Sequence, residues 1–474
     1  MTYSPTLAFW VDSAGMSPVE LEAALARLGR QLDSAGVTFV AVDGATESIG
    51  LNELLARTTA DWIVWMDAAV SLAPGALPII QSMLGRFDVD VFYGDTSQPD
   101  GTIVRRPSAS PIRLRSQDYL GPLRGFRTMA LREAGGFAPD ASGSHPFELA
   151  LRLSQAPARM LRIPEVLAIS ARPAPGAVGV KSDVVSRYLD GLGIENSIES
   201  GDGSFRIRYP VVGEPLVSVI IPTRGSTALI RGRPQVLVVD AVRGIVERST
   251  YRALEVVIVA DDATPQDVID ELILVAGDRL RLVRWGEAFN FSAKMNRGAL
   301  FARGEYLILL NDDVELISPD WIETMLGLAQ QPDVGLVGTL LYFEDGTVQH
   351  GGHLYSASWA GHSALGWEAS RDDGIGSMGV DREVSGVTAA CAMIDANTFW
   401  EVGGFSRDFA GNYNDVDLSL KVAAIGQRNI WTPHARLVHF ESKTRVAAVL
   451  PGELEALRAR WGTRLISDPY WPEQ

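Results

Sequence analysis

The chain has 474 residues, of which 46% are hydrophobic and 21% charged; this excludes a disordered or fibrous protein, and the length calls for two or three cores rather than one. Its 42 basic against 58 acidic residues leave a formal charge of -16, which excludes long-range attraction to nucleic acid or anionic lipid and makes any phosphate-bearing ligand depend on local cations. No run approaches the ~18 apolar residues of a membrane helix and no charged leader precedes an apolar stretch, so the expectation is a cytoplasmic protein without a transmembrane segment, with peripheral association at the inner face of the cell membrane left open.

In chain order, Ser17-Pro18-Val19-Glu20 carries a cap, a proline at the first helical position and the acid of a capping box, and Leu21, Leu25, Leu28 and Leu32 follow at helical spacing. The β-rich run 37–42 ends at Asp43, and the run 60–67 reads as a buried strand ending in Asp67, then a proline and a helix. Further on come Gly135-Gly136-Phe137 and Ile163-Pro164. Beyond the turn-rich Arg172-Pro173-Ala174-Pro175-Gly176 and a stretch with Gly191, Gly193, Gly201 and Gly203, the same series begins again.

A helix near 240–248 leads to the strand 254–260, which ends at Asp261, and the strand 304–310 ends at Asn311. Gly403-Gly404-Phe405 and Thr432-Pro433 then repeat the earlier pair at offsets of 268 and 269 residues. Matches in one order point to two copies of one α/β domain, each expected to hold a mostly parallel sheet. The expected limits are 1–171 for the first domain, 172–213 for a connection, 214–445 for the second domain and 446–474 for a tail with a helix from Pro451 to Trp461. Cys391, the single cysteine, lies in the apolar run 387–394, which excludes an intrachain disulfide and predicts a buried, inert thiol.

In an open parallel sheet, ligands bind beyond the carboxyl ends of the strands. In the second copy the polar residues there are Thr223, Asp261, Asp262, Asn311, Asp312 and Asp313. Crowded carboxylates raise each other's pKa, and a hard divalent cation relieves that repulsion. A second acidic group, Asn414-Asp415-Val416-Asp417, opens an amphipathic helix; an acid there also suits the helix dipole, so Asp415 is the better catalytic candidate and Asp417 the more structural one. Arg224, Arg231, Arg233, Lys294 and Arg297 can supply positive charge for a phosphate.

Val217-Ser218-Val219-Ile220-Ile221-Pro222-Thr223-Arg224, the strand end at Asp261, Leu310-Asn311-Asp312-Asp313, Gly403-Gly404-Phe405 with Asn414-Asp415-Val416-Asp417, and Pro433 through His439-Phe440-Glu441-Ser442 closely resemble glycosyltransferase family 2, with its GT-A fold, over about half the chain. The resemblance implies a metal-dependent, inverting transfer of a sugar from a nucleoside diphosphate, UDP- or dTDP-linked, to a glycan or lipid-linked glycan in cell-surface polysaccharide synthesis. By it, Asp415 is the general base. Pro222, Thr223, Arg224, Asp261, Lys294, Asn296, Asn311 and Asp312 border the donor, and Asp313 and His439 hold Mn2+ or Mg2+. Asn311 stands where the family's Asp-x-Asp motif has its first acid, and Asn414 where a glutamate is common. The loop Val348-Gln349-His350-Gly351-Gly352-His353 with His362 resembles an acceptor-bordering segment of polysaccharide-building relatives, making His350 an acceptor candidate beside Asp417. A homo-oligomer is compatible with all of this.

Carried into the first copy, Asn311-Asp312-Asp313 becomes Asp67-Ala68-Ala69, Asp415 falls on Pro146, Asp417 on Glu148 and His439 on Ser170, while Asp43 remains opposite Asp261. The expectation is a degenerate GT-A domain without metal or base, serving as an acceptor guide or dimer interface. An oxidoreductase reading fails because neither first strand opens onto Gly-x-Gly-x-x-Gly. A serine hydrolase fails because Leu365 stands where Gly361-His362-Ser363-Ala364 would need a glycine, and the basic glycine-rich fingerprint of a nucleotidyltransferase is missing. The remaining alternative is a non-catalytic carbohydrate-binding or scaffold protein.

Overall fold

The computed structural model describes residues 4–14, 16–32, 37–42, 48–139, 141, 143–170, 182–200, 204–371, 373–441 and 451–471. The chain forms two compact α/β units, one of residues 1–207 with 372–380 and 472–474, the other of 208–371 with 381–471. Asp43 lies outside the described residues. No helix among them is long and apolar enough to cross a membrane.

The first unit starts as its sequence dictates. Ser17 accepts from the Glu20 amide and the Glu20 side chain returns to the Ser17 amide, so Pro18–Gln31 begins with two of its orphan donors satisfied. Leu28 and Leu32 bury against a core built on Phe9, Val64 and Ile80. The sheet runs, from one edge, Val37–Val42, Leu7–Asp12, Trp62–Asp67, Leu123–Arg127, Val91–Ser97, Met160–Ser170, Val70–Leu72.

The second unit repeats that order with one strand added at the edge: Leu280–Trp285, Leu254–Asp261, Val217–Thr223, Tyr306–Leu310, Cys391–Asp395, Val334–Tyr342, Arg428–His439, Val314–Leu316. The register agrees as well. Val70 pairs with Ser170 as Val314 pairs with His439.

Both sheets mix parallel and antiparallel pairs. The strands joined by helical crossovers, Leu7–Asp12 with its two neighbours and Val217–Thr223 with its two, pair parallel. Trp62–Asp67 with Leu123–Arg127 and Tyr306–Leu310 with Cys391–Asp395 pair antiparallel. A parallel pair needs a crossover returning the chain to the same end; the alternation read from the sequence is interrupted at these strands, and parallel pairing returns between Val91–Ser97 and Met160–Ser170 and between Val334–Tyr342 and Arg428–His439.

The two units also share polar clamps. Asn52 receives the Phe137 amide on Oδ1 at 2.8 Å and donates to its carbonyl at 3.0 Å, and Asn296 does the same for Phe405 at 2.9 and 2.8 Å. Gly135, Gly136, Gly403 and Gly404 all have positive φ, a region that strains any residue with a Cβ. Glu148 pairs with Arg152, which donates to the Gly136 carbonyl, while Asp417 pairs with Lys421, which donates to that of Gly404.

Between the two sheets in sequence, the glycine-marked connection holds more structure than expected: a helix, Ser182–Gly191, burying Val184, Val185 and Leu189, and a two-stranded sheet of Ser197–Ser200 and Phe205–Arg208. The helix Pro451–Trp461 has the expected bounds, but it belongs to the second unit. Its Glu453 accepts from the amides of Gly411 and Asn412 and from the Asn412 side chain at 2.8–3.0 Å. Cys391 is a free, fully buried thiol pushed up to about 12 by its burial.

Candidate active site

In the second unit a cavity of about 740 Å³ opens at the carboxyl ends of Val217–Thr223, Leu254–Asp261 and Tyr306–Leu310. Among the residues proposed from the sequence, Pro222, Thr223, Arg224, Asp261, Lys294, Asn311, Asp312, Asp313, Asp415 and His439 line it.

One side is built on Lys294. The helix Phe291–Phe301 is capped by Asn290, which accepts from the Ala293 amide. Its Lys294, only 2% exposed, reaches Asp261 Oδ1 at 2.7 Å and the Thr223 carbonyl at 3.0 Å. The ammonium thus neutralises the strand-end carboxylate and fixes the two strand ends together. Thr223 Oγ1 donates to Asp312 Oδ2 at 2.6 Å.

Burial, reinforced by the charge of Asp313, raises the Asp312 pKa to about 6. Asp313 Oδ1 lies 3.1 Å from His439 Nε2, and both side chains are 10% exposed. Burial opposes a charge on the His439 ring, but Asp313, then Glu441 and Asp312, outweigh it and raise the ring's pKa. A carboxylate and an imidazole this close, beside a second carboxylate forced toward neutrality, fit one hard-to-borderline divalent ion that would relieve the crowding. Asp313 and His439 would hold it.

Gln349 was not singled out from the sequence as a site residue, yet it sets that imidazole. His439 Nδ1 meets Gln349 Oε1 at 2.7 Å, and Gln349 Nε2 donates to Glu441 at 3.0 Å. The carboxylate dictates the amide's orientation, the amide oxygen then accepts a hydrogen bond from Nδ1–H, and Nε2 is left facing Asp313 and the Asn311 amide nitrogen at 3.0 Å. Outer groups of this kind tune metal affinity. Gln349→Leu is expected to weaken Mn2+ binding by roughly 10- to 100-fold with little change in melting temperature, as read by electron paramagnetic resonance of free Mn2+; unchanged affinity would remove Gln349 from the site. Its only sequence signal was its place in the segment Val348-Gln349-His350-Gly351-Gly352-His353.

Across the cavity, Asp415 sits in the first turn of Asn414–Ala424, after Tyr413, whose φ of 58° is left-handed. Strain of this kind persists only where surroundings fix it, and Glu453 holds the adjoining Gly411-Asn412 main chain. Asp415 accepts from the Val416 amide at 2.8 Å and from Ala389 at 3.4 Å. Burial alone would raise its pKa, but the hydrogen bond and charge of His353, then His362 and the Thr388 hydroxyl, hold it well below the carboxylate range. It is therefore an ionised acceptor facing the cavity.

Three sequence assignments fall elsewhere. Asn296 does not line the cavity, because both ends of its amide are used on Phe405. Asp417 is fully buried against Arg460 at 2.8 Å, Lys421 at 3.2 Å and the Trp461 indole at 2.9 Å, and the equivalent Glu148–Arg152 pair marks this as an architectural role. His350 is fully buried behind the wall, where Thr388 N donates to its Nε2 at 3.2 Å. None of the three is placed to touch a ligand in the cavity.

The chain is 30% identical over 441 residues to protein y4gI of Sinorhizobium fredii, covering 86% of this chain and 48% of that protein. It is 31% identical over 421 residues to the O-antigen biosynthesis protein RfbC of Myxococcus xanthus, covering 84% and 32%. It thus spans about half the length of the first curated relative and a third of the second. Among solved structures it is similar to the mannosyltransferase PcManGT of Pyrobaculum calidifontis with GDP-Man and Mn2+ (17% identity, 53% of this chain and 70% of that one, TM-score 0.37). It is also similar to GalNAc-T7 with UDP, GalNAc and Mn2+ (14% identity, 56% and 51%, TM-score 0.42). Residues 218–403 match the model of glycosyl transferase family 2, and the chain carries a domain of that family.

Proposed function

We propose that the second unit is an inverting glycosyltransferase that moves a hexose-like sugar from a UDP- or dTDP-linked donor to a hydroxyl of a glycan or lipid-linked glycan, in assembly of a cell-envelope polysaccharide. The observation that carries this reading is the convergence, on one cavity, of a carboxylate held ionised, Asp415, and a separate carboxylate–imidazole pair, Asp313–His439.

The donor's nucleoside end is assigned to Asp261 and the strand end Pro222-Thr223-Arg224, with Lys294 holding Asp261 in place. Its diphosphate belongs beside Asp312, Asp313 and His439, where bound Mn2+ or Mg2+ supplies Lewis-acid neutralisation of the leaving phosphate. Asp415 accepts the proton of the acceptor hydroxyl as that oxygen attacks the anomeric carbon and the nucleoside diphosphate departs. Helix Pro451–Trp461 keeps the base in place through Glu453 and the loop 411–413.

The first unit we read as a degenerate GT-A copy. The shared strand order, the equivalent Asn52 and Asn296 clamps and the matching acid–base pairs support this reading. Its chemistry is gone: Ala68-Ala69 replace the acids, the Asp67 carboxylate accepts from the Ala69 amide at 2.8 Å, Pro146 stands for Asp415 and Ser170 for His439. We assign it to acceptor guidance or to association of two copies, at the cytoplasmic face of the membrane. The test is incubation of the protein and Mn2+ with a panel of nucleotide sugars, scoring nucleoside diphosphate release with and without glycan acceptors. Release from one donor that an acceptor stimulates supports transfer; no release from any donor, with glycan binding retained, favours the carbohydrate-binding scaffold.

A further inference from the structure

Three histidines spaced along a glycine-rich segment come together once the chain folds. His353–Ser356 and Trp359–His362 form an antiparallel hairpin in which His353 pairs with His362, and His350 ends the neighbouring strand Val348–His350. One ligand atom from each ring lies within 4.8 Å of the others. Burial first, then the mutual repulsion of the rings, keeps His350 and His362 uncharged, His362 down to about 4.

The hydrogen bonds around them cannot all be satisfied by protons. His362 Nδ1 lies 3.2 Å from His350 Nδ1 and 3.0 Å from the main-chain oxygen of Gln349. The Thr388 amide, 3.2 Å from His350 Nε2, requires a lone pair there and so puts the His350 proton on Nδ1. His362 Nδ1 would then have to accept from His350 and donate to Gln349 with a single position. The other tautomer of His350 only moves the conflict to Thr388. The third ring, His353, is 2% exposed, turns Nε2 toward Asp415 Oδ2 at 3.7 Å and leaves buried Nδ1 with no hydrogen-bond partner among the described residues.

Two nitrogens bound to one zinc ion at 2.0–2.1 Å stand roughly 2.9–3.4 Å apart, the range in which the His350 and His362 nitrogens already lie. A cation at this point takes the Nδ1 lone pairs of His350 and His362 and leaves the His350 proton on Nε2 facing the Thr388 amide, a contact that must open as the ion binds; a carboxylate on the far nitrogen of a ligating histidine is the usual way such a ring is oriented. We propose that His350, His353 and His362, with the main-chain oxygen of Gln349, form a second cation site, selective for imidazole-preferring ions such as Zn2+ and separate from Asp313–His439.

The test uses the full chain, stripped with chelator and titrated calorimetrically with Zn2+ as wild type, His362→Gln, His353→Gln and Asp313→Asn, each with its melting curve. Zinc binding at the three histidines is expected to be the same in wild type and in Asp313→Asn, whatever zinc the Asp313–His439 pair also takes in wild type. Since loss of an outer group alone costs ~10- to 100-fold, loss of a ligand in either histidine variant should exceed about 100-fold. X-ray absorption of zinc-loaded wild type gives a reading that needs no variant: scattering from three imidazoles is expected. Zinc lost in Asp313→Asn but kept in the histidine variants, a shell with a single imidazole, or no binding by wild type would each overturn the proposal.

Discussion

Asp415→Asn is expected to lower sugar transfer by about 100- to 10,000-fold, the usual contribution of a positioned general base, while leaving donor affinity unchanged. The amide keeps the size of the carboxylate and can still accept from Val416, so the helix start and its neighbours survive the substitution. Only the ability to take a proton is removed. The loss should fall on kcat with the Kd for nucleoside diphosphate held, the pattern of an interaction made in the transition state alone. Single-turnover transfer and calorimetry on the same preparation check it; a fall in donor affinity of similar size would reassign Asp415 to binding.

A large effect of another kind is expected at the neighbouring acid. Asp417→Ala should destabilise the protein by about 2–4 kcal/mol, because it strips Arg460, Lys421 and the Trp461 indole of the fully buried carboxylate that joins them. Arg460 and Lys421 retain some solvent access, which keeps the loss below that for sealed charges. Helix Pro451–Trp461 packs there through Leu457 beside Tyr355, Phe409 and Leu420, so the first region to loosen should be this helix with the loop 411–413. Thermal melting and amide exchange measure both effects. Full stability combined with weakened acceptor binding would restore Asp417 to the acceptor site.

Where local chemistry decides an element, the sequence sufficed. Ser17 with Glu20, the apolar strands ending at Asp261 and Asn311, and Pro451 at the head of a helix all act within a few residues, and all appear as expected. Most of the cavity was legible for a related reason: the ends of parallel strands gather whatever polar residues follow them. Groups whose work depends on distant partners were not. Asn296 and Asp417 carry the residue types of a binding site, but Phe405 and Arg460 claim them across 109 and 43 residues. Gln349 meets His439 across 90 residues, and the histidine cluster exists only through a hairpin register. The helix Ser182–Gly191 was hidden differently: the flanking glycines drew the reading toward a linker although Val184, Val185 and Leu189 already marked a buried face.

The central claim, that one unit holds a metal-dependent nucleotide site at Asp313, is tested most directly by calorimetric titration of UDP and dTDP, with and without Mn2+, into wild type and Asp313→Ala. The account predicts that one nucleotide binds wild type only when Mn2+ is present and that Asp313→Ala abolishes this binding. Nucleotide affinity indifferent to both Mn2+ and the substitution would contradict it.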